Sequence, residues 1–457
     1  MAEQPSTIAC GAGRIQCARS SLDVTQPLRA RSIEDAPIMK EKFSRYQLFV
    51  VVVLAFLQFT VVLDFMILSP LGAILIEQLG VSTAQFGLVV SAYAFSAGAS
   101  GLLAAGFADR FDRKKLLLFF YTGFVLGTFL CGIAPTYSFL LAARIVTGIF
   151  GGVIGSISFA IIADIFPLSM RGRVMGLVQT SFAASQILGI PIGLFFATHW
   201  GWHAPFLMIV GVSVLAGIAI VLRLQPLTAH LSAAAEAKRS PGAHLVHTAT
   251  RPRYIAGFAS TMLLATGGFM LMPFGSTFLV QNLNISLDRL PMIYMVTGLS
   301  SIIAGPLLGR LSDSFGKYRT FVLGTILTGT IIVWYTRLTA ASLTLVIVLN
   351  VVLFVGISAR MVSSMALSSA LPGLPDRGAY MAISSSLQQL SGGVAAWTAG
   401  LIVRQPTPTS ALIGYPTLGT VVVVTLVITL ALMWNVDRLV SRTRPERAVA
   451  KASNASR

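Results

Sequence analysis

The chain has 457 residues, of which 55% are hydrophobic and 11% charged, and its net charge is +17. A soluble protein carries about 25% charged residues, and a soluble chain of this length would divide into domains with polar surfaces, so a water-soluble enzyme is excluded. The positive charge does not indicate nucleic-acid binding, because no basic segment is interleaved with aromatic residues.

Apolar runs of about 18 residues or more match a hydrocarbon core roughly 30 Å thick. Twelve such runs are predicted. They follow a polar tail, 1–44, which is expected to be disordered and cytoplasmic, with Met39 ahead of "KEKFSRYQ" as a natural start. In chain order they are Leu48–Leu68, Phe86–Phe107, Leu116–Ala134, Ser138–Ile162, Val174–Thr198, Ala204–Leu222, Ile255–Val280, Pro291–Leu308, Phe321–Tyr335, Leu343–Leu367, Ala379–Val403 and Leu418–Trp434. The ninth and twelfth are the shortest and the weakest. Cys10, Cys17 and Cys131 build neither a disulfide framework nor a metal site.

Charge placement sets the topology. With the N-terminus inside, the loops on that side hold fifteen Lys or Arg residues, against three outside: Arg289, Arg337 and Arg404. The positive-inside rule then places both termini in the cytoplasm. The expected protein is multi-pass in a plasma (inner) membrane, with the bilayer itself as its partner.

The segment "GFADRFDRKKLLLFF", 106–120, holds six charged side chains between Asp109 and Lys115, and it has an echo. "GRLSDSFGKYRTFVL", 309–323, aligns Asp313 with Asp109 and Lys317 with Arg113. "DIFPLSMRGRVMG" and "SALPGLPDRGAYM" align Pro167 with Pro372 and Arg171 with Arg377. These offsets of 204, 205 and 206 residues describe a duplication of six helices plus six. The predicted organisation is a first bundle, 45–224, a cytoplasmic loop, 225–252, a second bundle, 253–436, and a basic cytoplasmic tail, 437–457.

Parallel six-helix repeats around a central site are the plan of the major facilitator superfamily, and from about Met39 to Arg442 the chain resembles that family. The family's loop motif Gly-x-x-x-Asp-Arg-x-Gly-Arg-Lys is similar to Ala105-x-x-x-Asp109-Arg110-x-Asp112-Arg113-Lys114, with Ala and Asp in place of the glycines. The second copy is Gly309-x-x-x-Asp313-x-x-Gly316-Lys317. The resemblance implies an all-α membrane fold of twelve helices in two pseudo-symmetric bundles. It also implies a cytoplasmic gate in which Asp109 caps a helix of the other half and Arg113 pairs with Asp164. The residue matching Asp164 in the second half is Ser369, so that triad is incomplete. Asp112 could tighten or distort the turn.

Charged residues inside a membrane are functional candidates, since each costs about 2.5–3.5 kcal/mol on insertion scales. Asp64, Arg144 and Arg360 fall well inside helices. Arg144 lies seven residues beyond Tyr137, roughly 10 Å down its helix, at a depth similar to Asp64. "ARIVTG" around Arg144 resembles the family's proton-coupling motif, so Asp64 and Arg144 are the expected proton site, with a static packing pair as the alternative. Arg360 meets either an anionic substrate group or neighbouring polar groups. Gly189, Pro191 and Gly193 loosely resemble the antiporter motif of the fifth helix. Gln58, Gln179, Gln186, Asn350, Gln388 and Gln389 are the remaining cavity candidates. They are sparse, which suits an amphipathic solute better than a fully hydroxylated sugar.

No Gly-x-x-x-x-Gly-Lys-Ser/Thr loop occurs, which argues against a nucleotide-powered pump. The sequence reads as a monomeric transporter resembling the drug:proton antiporters. It is expected to need no cofactor or metal beyond a proton gradient and to export a small molecule. An importer of a sugar or organic anion is the alternative within transport. A sensor or membrane enzyme reusing the fold, hinted at only by His199 and His203, is the remote one.

Overall fold

A computed structural model describes residues 43–228, 241–373 and 376–455. The expected disordered tail as far as residue 42, with Met39, and residues 229–240 of the expected loop lie outside the described residues.

Twelve long helices account for the described chain: α1 (Arg45–Ile67), α2 (Thr83–Phe107), α3 (Arg113–Gly132), α4 (Tyr137–Ile165), α5 (Leu168–Ala184 and Ile190–Trp200) and α6 (Ala204–Arg223) in the first half. The second half holds α7 (Pro252–Leu271, continued by short turns to Asn282), α8 (Leu290–Phe315), α9 (Lys317–Tyr335), α10 (Leu343–Ala370), α11 (Arg377–Ile402) and α12 (Tyr415–Ala455). Ten are long and apolar enough to cross a membrane. α9 and α11 fall short because α9 opens on "KYR" and α11 is rich in Ser, Gln and Gly. The weakness of α9 follows from its sequence. α12, predicted to be weak, is among the ten, and α11 takes its place. α12 also continues past residue 436, so 437–455 are helical where a separate tail was expected. Within the expected loop, Pro241–Ala249 forms a short helix.

Local chemistry sets the helix starts. Ser44 with Gln47 and Ser82 with Gln85 form reciprocal capping boxes on α1 and α2. In each the serine hydroxyl and the glutamine amide oxygen take up backbone N–H groups that helix geometry leaves free. Thr136 and Ser342 cap α4 and α10 through their hydroxyls. Gly316 makes the turn between α8 and α9 at φ +105, a conformation that disfavours any side chain. α5 is interrupted at Ser185–Gly189 by a π-helical turn, whose Ile190 N–H reaches back to the Ser185 carbonyl. Pro191 has no N–H of its own to restore the regular ladder at that point.

Twelve passes put the start of α1 and the end of α12 on one face, called near, with the far face opposite. On the far side a single apolar core spans both halves, with Ile67, Leu71 and Phe86 of the first packing with Phe274, Ala396 and Val403 of the second. On the near side the core divides. Leu54, Leu117 and Val174 belong to one part, and Tyr254, Phe321 and Tyr380 to another, which Leu102 of α2 borders.

Hydrogen bonds reinforce the far-side joint. Thr83 Oγ1 donates to the Val403 carbonyl at 2.6 Å, and Ser276 Oγ to the Ser69 carbonyl at 2.8 Å. Ser69 Oγ donates in turn to the Met272 carbonyl. The halves are closed on the far side, while on the near side their apolar cores are separate.

One test of this closure is Gly87→Val. A Cβ at Gly87 would lie 2.8 Å from the Ala396 carbonyl oxygen, a backbone atom that yields only if α11 moves. Overpacking costs about 1–3 kcal/mol, which corresponds to roughly 5- to 150-fold in a conformational equilibrium. Maleimide should therefore label Val403→Cys from the far side faster by that order in the Gly87→Val protein. Unchanged labelling would show that this contact does not hold the closure.

Candidate functional site

The deepest polar cluster is built by the first four helices. α1 carries Asp64, α2 Tyr93, α3 Thr128 and α4 Arg144. Asp64 and Arg144 are both 0% exposed. Arg144 Nη1 donates to Asp64 Oδ2 at 2.7 Å, and Thr128 Oγ1 donates to Oδ1 at 3.1 Å, so both carboxylate oxygens are engaged. The guanidinium lies over the Tyr93 ring, 4.6 Å from its centroid. Small residues permit this convergence. A Cβ at Gly148, one turn beyond Arg144, would lie 2.5 Å from the Tyr93 carbonyl oxygen, so α2 and α4 meet closely only because that side chain is absent.

The pair is tied to the joint between the halves. Phe65, next to Asp64, packs on Tyr93 at a centroid distance of 5.2 Å and on Phe269 of α7 at 5.5 Å. Arg144, Tyr93, Phe65 and Phe269 thus form a continuous path from the buried charges to the second bundle. On the other side, α5 presses against the same stretch of α1. Cβ atoms at Gly189 and Gly193 would each lie 2.6 Å from a terminal methyl, of Leu63 and Ile67 respectively. Pro191 sits between them, just after the π turn.

The other cavity candidates do not gather into one site. Gln58 faces Gly155 of α4, with its Oε1 3.6 Å from where a Cβ would stand. Gln179 is exposed, and Gln186, Gln388 and Gln389 are half-buried. Asn350 Nδ2 donates to Tyr335 Oη at 3.3 Å and to the Val346 carbonyl at 2.9 Å, which commits it to the second bundle. Arg360 is 4% exposed and lies over the Phe321 ring at 5.5 Å. Neither Asn350 nor Gln388 hydrogen-bonds to it. His199 is exposed, and His203 Nε2 lies 2.9 Å from the Ala134 carbonyl, so the two histidines are held apart by different partners.

At the near face, Arg113 Nε lies 3.3 Å from Asp164 Oδ2, and its Nη1 donates to the Ala108 carbonyl at 3.2 Å. Asp109 sits in the turn Ala108–Arg110, but its side chain lies outside those described. Arg110 is exposed. Asp112 tightens the turn by capping α3. It accepts from Lys114 N at 2.7 Å and from Leu227 N at 3.3 Å, which draws in the chain beyond α6. In the second copy, space is open at Gly309, Asp313 is exposed and Lys317 is half-buried.

Ser369, which matches Asp164, only donates to the Ala366 carbonyl at 3.1 Å. A different acid serves the second half. Asp376 Oδ2 is 2.6 Å from Arg251 Nη1 and accepts from Tyr254 Oη at 2.8 Å, while its Oδ1 is 3.8 Å from His244 Nε2. His247 Nε2 accepts from Arg251 Nε at 3.3 Å. The signal for this cluster was the Asp immediately before the repeated Arg377-Gly378.

The model of the Major Facilitator Superfamily matches residues 54–274 and 257–455, so the chain belongs to that superfamily and is a membrane transporter. It is 29% identical over 271 residues to the uncharacterized MFS-type transporter YceJ of Bacillus subtilis, covering 59% of this chain and 68% of that one. It is 24% identical to a probable sugar efflux transporter of Mannheimia succiniciproducens, over 59% of this chain and 66% of the relative. It is 32% identical to Multidrug resistance protein 3 of Bacillus subtilis, over 30% of this chain and 27% of the relative. The crystal structure of a bacterial homologue of the human lysosomal transporter Spinster shares the fold. Its TM-score is 0.70 at 16% identity, over 87% of this chain and 98% of that one.

Proposed function

We propose that this protein is a proton-coupled antiporter that exports small amphipathic molecules by alternating access. In this reading it is a monomer in the inner membrane, and the near face is cytoplasmic. The observation that carries the reading is the enclosed Asp64–Arg144 pair, one residue from the Phe65–Phe269 contact between the bundles. Two charges withdrawn from water at a cost of several kcal/mol each hold together only while both are charged. Protonating Asp64 removes the charge that Arg144 binds and frees the path through Tyr93 and Phe65 to rearrange. The paired arrangement, closed on the far side, then corresponds to the state after the proton has left toward the cytoplasm.

The orientation rests on the fifteen basic residues in the loops of the near face against three on the far face. Export is supported by the efflux and multidrug-resistance relatives. Arg113 with Asp164, and Asp109 and Asp313 across from them, would close the near face in the opposite state.

Everted vesicles with an acidic interior provide the test. They should accumulate lipophilic probes in a protein-dependent way, and a protonophore should collapse the accumulation. Accumulation only when the interior is alkaline would instead identify an importer.

A further inference from the structure

Among the described residues of the second bundle, one buried charge is left over. Arg360 is 4% exposed, yet no hydrogen bond or ion pair from a described residue reaches any of its nitrogens, and its Nε and Nη2 are fully shielded without partners. The described acids of that half do not compensate it. Asp288 stands in the turn before α8, Asp313 near the end of α8, Asp376 just before α11 and Asp437 on α12 beyond Trp434. Asp376 is committed to Arg251 and Tyr254.

Arg144 also has a buried Nε and Nη2 without partners, but it differs in charge, because Asp64 matches it. The stem of Arg360 runs past Gly324, where a Cβ would stand 3.1 Å from its Cγ, and the head rests on Phe321. The ring face holds the cation but offers no acceptor to its N–H groups.

We infer that Arg360 binds the carboxylate of the transported molecule, so that the substrates are monocarboxylates on an apolar skeleton. Nε and Nη2 form the side-on edge of the guanidinium, two parallel donors spaced for the two oxygens of one carboxylate. That edge is covered by protein atoms, but no described group accepts a hydrogen bond from it. A single uncompensated cation calls for a single negative charge, and the surrounding Phe321 core suits an apolar remainder. In this arrangement the Phe321 ring covers the face of the guanidinium. The ligand takes over the guanidinium when the side chain lifts off the ring. The inference rests on the proposed transport of amphipathic molecules and narrows it.

The test uses the full chain in detergent with three probes that share one skeleton: 1-naphthaleneacetate, its neutral amide and cationic 1-naphthylethylamine. The carboxylate should raise the thermal unfolding midpoint of the wild type well above the effect of the other two. Arg360→Gln should lose that gain while keeping its response to the amide. Arg360→Lys keeps the charge without the two-donor edge, so its affinity for the carboxylate should fall by about tenfold or more. If Arg360→Gln does not fold, the lysine variant decides.

Equal responses to the three probes, no response to any of them, or an undiminished carboxylate response in the variants overturns the inference. Proton-driven uptake of the amide without preference for the carboxylate would leave the transport reading standing and remove this one. Carboxylate binding through Arg360 without proton-driven movement would do the reverse.

Discussion

Asp64→Asn should abolish uphill transport and leave downhill exchange intact. The carboxamide keeps the shape of Asp64: its oxygen can accept from Arg144 Nη1 in place of Oδ2, now 2.7 Å away, and its NH2 can donate to Thr128 Oγ1 in place of Oδ1, now 3.1 Å away. Packing around α1 should therefore survive. The substitution removes the ability to gain and lose a proton. With one proton exchanged per molecule, a pH difference of about one unit supports roughly tenfold accumulation. In proteoliposomes the variant should bring the probe only to equal concentrations on both sides, while exchange of labelled for unlabelled probe continues. Loss of exchange as well would mean that the pair serves the rocking motion and not the coupling.

Arg144→Ala should be the most destabilising single change in the first bundle. It leaves Asp64 as an uncompensated charge in a site that is 0% exposed, and breaking a buried pair from one side costs about 3–5 kcal/mol. It also removes the cation from the Tyr93 ring. Adding Asp64→Asn should restore part of the loss, because neighbours in one network couple by about 0.5–3 kcal/mol. Thermal unfolding in detergent should thus rank the proteins as wild type, double variant, then Arg144→Ala. A double variant no more stable than Arg144→Ala would mean that the cost is cavity and packing, not unpaired charge. Transport should separate the readings further. The double variant lacks a titrating group, so a proton site would not recover coupling, whereas a static packing pair would recover in part.

Much of this architecture is legible in the sequence because a bilayer imposes a sharp rule on length and polarity. The helical runs follow from it. α11 escapes that rule in part. Its Ser, Gln and Gly content lowers its hydropathy because its surface is spent on other helices, as where Gly400 meets the Thr83 carbonyl, 2.7 Å from a would-be Cβ.

Counting residues from the helix ends brings Asp64 and Arg144 to one depth, and in the fold their side chains meet. The sequence gives no comparable sign of Thr128 or Tyr93, since a threonine or tyrosine in a membrane helix is an ordinary packing residue. The Asp376 cluster is hidden for another reason. Its partners His244, His247 and Arg251 come from a polar loop, in which the short helix Pro241–Ala249 carries the two histidines and Arg251 stands just before α7. The effect of Asp112 depends on the backbone of Leu227, which loop composition does not reveal.

The central claim is that Asp64 carries the proton that is exchanged for substrate, and proton release on binding tests it most directly. The purified protein is placed in weakly buffered detergent at a pH where the site is protonated, with a pH-sensitive dye, and an accepted probe is added. Wild type should release about one proton per molecule bound, as linkage between two competing ligands requires. Asp64→Asn should bind the probe and release none. Release of the same size from the Asp64→Asn protein would contradict the account and assign the proton to another group.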